Sequence, residues 1–255
     1  MEGSAHLPWG RREGYQGPPV HIVSATRAKE SDFWKSSHLG LSFRRANYTI
    51  PLKHSIAFEN TCGLSQVYNQ AIDSMDDRDI AVFVHDDIAL YDFFLPFRLA
   101  EGLRHFDVIG VAGNAAPAAD HAAWCMFLRP GNDAITDQLP QDPPLKHSGG
   151  VNQLHSGHEV ISRFGPIPMR VALLDGLFIA ARVSTLRRAG ARFDERFMFH
   201  FYDLDFCRTC TAKGLKLGTW PIALGHASRG AYGAPDWALA LADYRAKWGM
   251  TIPPI

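Results

Sequence analysis

The sequence predicts an α/β domain in which a mixed, mainly parallel sheet is flanked by helices, and three observations carry that prediction. VHIVSAT (Val20 to Thr26) is a short β-branched run that reads as a buried first strand. DRDIAVFVHDD (Asp77 to Asp87) is apolar on both faces of its strand, as in a sheet covered by helices. Between them GLSQVYNQAIDSM sets Leu64, Val67, Tyr68, Ala71, Ile72 and Met75 on one face of a 3.6-residue period, which is a helix. The alternation continues with a helix in DFFLPFRLAEGLRHF, Pro96 near its start, and a glycine-closed strand in DVIGVAGN.

The remaining elements follow in order. Residues 1–19 are rich in Gly, Pro and Arg without a period, and a loose arm is expected there. A polar stretch follows the first strand, and a second strand is expected within YTIPLKHSIAFEN. Residues 115–168 are dense in Pro, Gly, His and Asn, so an irregular acceptor or lid insert with some short antiparallel strands is expected. RVALLDGLFIAARVSTLRRAG reads as strand, DG turn, strand and a helix capped by Gly190. A further helix is expected from about Asp203 to Gly214, then a strand pair in LKLGTWPIALGHASRG. PDWALALADYRAKWG gives a terminal helix within residues 231–255, after one domain spanning 20–230.

Bulk composition narrows the partners. The 255 residues are 46% hydrophobic and 20% charged, with 26 Lys plus Arg against 26 Asp plus Glu, so no basic field exists to gather nucleic acid. No stretch approaches the run of about 20 apolar residues that spans a bilayer, and the first 20 residues lack a signal-type apolar core. A cytoplasmic protein without a transmembrane segment is expected. Cys62, Cys125, Cys207 and Cys210 form neither a disulfide framework nor a four-ligand zinc site; on a helix Cys207 and Cys210 read as buried small side chains. No GxGxxG or GxxxxGK[ST] sequence occurs, which removes dinucleotide and P-loop readings.

Two acidic clusters carry the chemistry. Asp86 and Asp87 lie at the carboxyl end of a buried strand, where open α/β sheets bind ligands. Adjacent anions are unfavourable without a cation, and hard oxygen ligands suit Mg2+ or Mn2+, although either acid could instead cap the following turn. In FHFYDLDFC, Asp203 and Asp205 differ by about 200° around a helix, so one faces a site while the other caps or meets solvent. A carboxylate among Phe201, Tyr202 and Phe206 would be desolvated and its pKa raised, as a general base requires, though Asp203 could also be a helix cap. Trp124, in the irregular stretch, could stack on a sugar ring; His155 and His158 could ligate a metal; Arg163 or Arg170 could meet a phosphate.

VFVHDD, LLDGLFIAARVSTLRRAGARFDERF, FHFYDLDFC and the GH at Gly225 and His226 together resemble the nucleotide-sugar-dependent glycosyltransferases of the GT-A (Rossmann-like) fold, closest to the bacterial StrF-like branch of the family 2 type. The likeness covers roughly Val20 to Gly230. It implies that His85 and Asp87 occupy the first and last positions of the family's DxD element, with Asp87 on the metal and Asp86 toward the ribose or the metal's waters. His226 resembles the late histidine that completes the metal site. Asp175 and Gly176 resemble the segment lining the donor-sugar and acceptor pocket, and Ser24, Ala25, Thr26 and Arg27 would touch the nucleotide base. In the family's ED pair the glutamate is replaced here by Tyr202, and Asp203 takes the base's place.

The resemblance implies Mn2+- or Mg2+-dependent transfer of a sugar from a nucleoside diphosphate to a saccharide, lipid-linked or protein hydroxyl, with inversion, and it leaves a peripheral position at the membrane open. Two alternatives stand beside it. One is a non-catalytic nucleotide-sugar or glycan-binding module, suggested by the histidine in the DxD element and the missing acid before Asp203. The other is a sugar-phosphate nucleotidyltransferase, which would need a glycine-rich, lysine-bearing loop that SATRAKESDFW lacks.

Overall fold

The computed structural model describes residues 15–45, 52–117, 123–125, 127–129, 132–136, 146–155, 158–227 and 235–249, with the backbone alone at 127–129, 132–136 and 155. Apolar runs form the strands nearest the core: β1 (Val20–Ala25) and β3 (Ile80–Val84), the latter buried at every position. Between them lie α1 (Glu30–Ser36), α2 (His38–Arg45), β2 (Lys53–Ala57) and α3 (Leu64–Ser74). β4 (Ile88–Leu90), α4 (Leu95–Gly102, with Pro96 in its first turn), β5 (Val108–Gly110) and β6 (Ala112–Asn114) follow. Then come β7 (Phe127–Arg129), β8 (Asn132–Thr136), β9 (His147–His155), β10 (His158–Gly165), β11 (Met169–Val171) and β12 (Leu173–Leu174). The chain continues through β13 (Phe178–Arg182), α5 (Val183–Ala189), α6 (Tyr202–Ala212), β14 (Leu217–Thr219), β15 (Leu224–His226) and α7 (Pro235–Trp248).

These elements make a mixed α/β fold. One sheet has the order β11-β14-β5-β13-β3-β1-β2; a second has the order β12-β6-β9-β15-β4, with β10 on β9. β1 is parallel to both β2 and β3, whereas β13 runs antiparallel to β3, with Phe178 opposite Val84. The amino end of β13 therefore lies beside the carboxyl end of β3, whose other neighbour, β1, ends on the same side of the sheet. The chain passes from one sheet to the other between Val84 and Ile88, between Gly110 and Ala112, and between Val171 and Leu173. This is why DVIGVAGN and the run before the DG turn, each read as one strand, are split in two.

The core beneath this junction is aromatic. Tyr68 of α3 sits against Phe83, Phe193 and Tyr202, and Phe193 stacks on Phe206 at 3.9 Å. Each fully buried side chain of this size contributes about 1.5–3 kcal/mol, so the α3 face predicted by periodicity is also the face that anchors the start of α6.

Two expectations are corrected. The polar stretch after β1 holds two short helices: α2 buries Leu39, Gly40 and Ser42, and a Cβ on Gly40 would stand 2.2 Å from the Phe33 carbonyl oxygen. Its apolar stripe is short, Leu39 and Phe43 one turn apart, and a glycine and a serine complete the buried face, so the stretch reads as polar. The stretch 115–168 is not irregular throughout, because β9 and β10 form a long antiparallel hairpin. Its outer strand is largely exposed, so the usual apolar alternation is missing. At Gly149, φ is 98° and a Cβ would lie 1.9 Å from the Val111 carbonyl oxygen, so one of the glycines that suggested looseness is required by a strand crossing.

Candidate active site

His85, Asp86 and Asp87 form the link along which the chain leaves β3 for β4. α2 fixes this link from one side, since Leu39 N–H donates to the Asp86 carbonyl at 3.1 Å and Leu90 N–H donates to Ser42 Oγ at 2.8 Å. β15 fixes it from another: His226 pairs with Ile88 across the antiparallel ladder, and its Nε2 stands 3.5 Å from Asp87 Oδ2. One ligand atom each from His85, Asp87 and His226 lie within 4.8 Å of one another. Asp86, expected to support the metal, is not part of that group; its place is taken by His85. All three group members are half-buried, which leaves room for exogenous ligands.

The DG turn comes in beside this group. His85 N–H donates to the Leu177 carbonyl at 3.2 Å, and Asp175 Oδ1 accepts from Leu177 N–H at 3.1 Å. Gly176 N–H donates to Asp203 Oδ2 at 2.9 Å, while the Gly176 carbonyl accepts from Tyr202 Oη at 2.8 Å. A Cβ on Gly176 would stand 2.4 Å from Tyr202 Oη and 2.8 Å from Asp203 Cβ, so only glycine allows this approach. Asp203 is thus not the cap of α6. That position belongs to Phe201, held at φ 64°, and the Asp203 side chain reaches across to the DG turn.

Electrostatics separate the titratable groups. Burial, and then the charge of Asp175, push Asp203 up to about 7, against the pull of the N–H groups of Leu204 and Gly176. Asp175 is also raised by burial, opposed by the Leu177 N–H and by His226 and His85. Burial lowers His85 against the attraction of Asp87 and Asp175. Burial also acts to lower His226, but its contact with Asp87 outweighs this and its pKa is raised. A carboxyl near neutrality and a histidine-carboxylate group beside it are the pairing that acid–base chemistry at a metal needs.

Other expected residues fall into place unevenly. Ser24, Ala25, Thr26 and Arg27 lie at the carboxyl end of β1. Ser24 Oγ is buried without a hydrogen-bond partner among the described residues, Thr26 Oγ1 accepts from Ala28 N–H, Ala25 is half-buried, and Arg27 is exposed. Asp205 does not meet solvent: it is buried and pairs with Lys247 Nζ at 2.7 Å. Phe206 packs on Phe193 and Phe201 on Tyr244, so of the three aromatics expected around the base only Tyr202 touches the site. Trp124 is buried against Phe164 and near the Asp175 carboxylate, and so offers no face to a sugar. Cys207 and Cys210 are free, buried and raised in pKa by that burial. Arg163 and Arg170 are exposed, and the His155 side chain lies outside the described residues. Sequence reasoning missed the bond from His85 Nε2 to Tyr202 Oη at 2.7 Å and the Phe199 ring stacked beside His85.

No family model matches the chain, and no curated protein matches it in sequence. Solved structures are similar to it in fold. The catalytic domain of Drosophila beta1,4galactosyltransferase 7 in complex with xylobiose has a TM-score of 0.43 and 8% identity, over 88% of this chain and 79% of that one. GalNAc-T7 with UDP, GalNAc and Mn2+ has a TM-score of 0.48 and 10% identity, over 89% of this chain and 48% of that one. The chain thus spans about half the length of the second protein. At such identities the chemistry of this site rests on its own geometry.

Proposed function

We propose that this protein is a metal-dependent glycosyltransferase that moves a sugar from a nucleoside diphosphate to a hydroxyl acceptor, with Asp203 as the general base. The observation that carries the proposal is the meeting, at the carboxyl ends of β1 and β3, of the His85–Asp87–His226 group with a carboxyl of pKa about 7 held on the neighbouring DG turn. The donor set fits a divalent ion: three ligand atoms within 4.8 Å of one another, two imidazoles and one carboxylate, with the remaining positions for phosphate oxygens and water. A bound ion would neutralise the charge that develops on the leaving diphosphate.

The chain's own residues do the rest. Ser24 Oγ, buried and without a hydrogen-bond partner among the described residues, supports the expectation that the nucleotide lies at the end of β1. Asp203 is held by Gly176 N–H with its pKa near working pH, as deprotonation of an incoming hydroxyl requires. Asp175, half-buried beside it, is available to accept from a sugar or acceptor hydroxyl. Direct displacement, hence inversion, is the outcome that the resemblance implies. Retention of Asp203 in a desolvated setting favours an enzyme over a binding module that has lost its base.

Calorimetric titration with UDP, GDP, dTDP and CMP, with and without Mn2+, tests the reading. Binding of one nucleotide that requires Mn2+, and its loss in Asp87→Ala, is the expected result. Binding that is indifferent to Mn2+ and to Asp87 would overturn the metal's role, and binding of none of the four would remove the donor class.

A further inference from the structure

His85 and Tyr202 are the two places where the chain departs from the pattern that it resembles, and in the structure they meet. His85 Nε2 lies 2.7 Å from Tyr202 Oη, which in turn lies 2.8 Å from the Gly176 carbonyl oxygen. A carbonyl oxygen only accepts, so the single phenolic proton goes to Gly176 and the Tyr202 oxygen accepts from Nε2–H of His85. A neutral imidazole carries one N–H. With that proton on Nε2, the lone pair sits on Nδ1, the ring nitrogen left to act as a ligand in the group with Asp87 and His226. Gly176 completes the arrangement: its carbonyl orients Tyr202 while its N–H holds Asp203.

We infer that Tyr202 is a positioning residue that fixes His85 as an Nδ1 metal ligand, and that the resulting centre of two imidazoles and one carboxylate selects a transition ion such as Mn2+ over Mg2+. The inference rests on the metal-centre reading above. Its chemical ground is that Mg2+ keeps to oxygen ligands and water, whereas imidazole nitrogen suits later divalent ions. An aspartate at position 85 would offer oxygen and serve either ion; the histidine removes that choice. Histidine ligands need an acceptor or orienting partner on their second nitrogen, and Tyr202 supplies one that is itself held by the backbone.

Metal binding alone tests this, without any substrate. Mn2+ affinity is measured by the signal of the free ion in electron paramagnetic resonance, and Mg2+ affinity by competition. Pulsed measurements count the coordinated imidazole nitrogens, and long-range proton–nitrogen correlation reads the His85 tautomer. Tyr202→Phe keeps the ring and removes the oxygen; Mn2+ affinity should fall by about 10- to 100-fold and the His85 tautomer should cease to be single. His85→Asp should reduce the Mn2+ over Mg2+ preference by about tenfold or more and leave one coordinated imidazole instead of two. Failure of the wild type to bind Mn2+ would overturn the metal-centre reading itself. Wild-type binding through two imidazoles, with Tyr202→Phe unchanged in affinity and tautomer, would overturn the role of Tyr202 alone. A single coordinated nitrogen in the wild type would remove His85 as a ligand.

Discussion

At the scale of single residues, Asp203, as the proposed base, would set activity against stability. Its pKa is raised in the folded protein, to about 7, so folding favours the protonated carboxyl. The sign follows: the group's contribution to stability is full below its unfolded pKa of about 3.9 and is lost as pH rises to about 7. At about 1.4 kcal/mol per unit, the penalty at pH 8 is on the order of 4 kcal/mol. Asp203→Asn keeps the Gly176 N–H bond and removes the charge. The variant should therefore gain stability over the wild type, and urea midpoints should show that gap widening by about 2–3 kcal/mol between pH 5 and pH 8. A gap independent of pH would show that Asp203 ionises freely. Transfer by the wild type should rise with pH through about 7, and the variant should lose about 100- to 10,000-fold in rate with donor binding kept. Of this residue set, Asp87 and Asp203 were legible as candidates from the residues themselves, at the end of an apolar strand and among the aromatics of a helix start, whereas Asp175 and His226 were singled out only by the family resemblance. The bond between His85 and Tyr202 was not legible, since it joins residues 117 apart and depends on how α6 crosses the DG turn.

Among the elements, α6 shows how one helix start serves two purposes. Asp203 faces the DG turn, and Asp205, about 200° round the axis, is buried on the other side. There it bonds Lys247 Nζ at 2.7 Å and Trp248 Nε1 at 2.9 Å, and Lys247 also holds Asp194 at 2.8 Å. Burial raises the Asp205 pKa, and Lys247 opposes that rise. Lys247→Met keeps the stem and removes the charge, leaving a buried carboxylate short of its partner; chemical unfolding should show a loss of about 3 kcal/mol. Because α7 is thereby tied to α6, proteolysis near residue 235 should also become faster, and unchanged stability would mean that water replaces the lysine. The period of α3 and the apolar run of β3 made those elements legible, whereas α2 hides its packing in Gly40 and Ser42. The β9–β10 hairpin escaped notice for the complementary reason: β10 is exposed, and buried His147 and Ser148 stand in β9 where an apolar pattern would have a hydrophobic residue.

Across the whole molecule, the candidate metal group sits where the two sheets exchange chain. His85 and Asp87 end the passage from the seven-stranded sheet, and His226 belongs to β15 of the other. Asp87 brings one carboxylate from the link after β3 and His226 an imidazole from the other sheet; at this junction a shared cation would join them as a cross-link. Any ion that binds only the folded state adds RT ln(1 + [L]/Kd), about 2.7 kcal/mol at a hundredfold excess over Kd. Since the ligands come from both sheets, that gain should appear in global unfolding and in slowed amide exchange in β3 and β15 together, not in one loop. Adding Mn2+ should raise the urea midpoint of the wild type, chelation should reverse it, and His226→Ala should respond far less than the wild type to the same addition. An equal response in His226→Ala, or protection confined to β3, would mean that the ion is held by one sheet and that the junction is closed by packing alone.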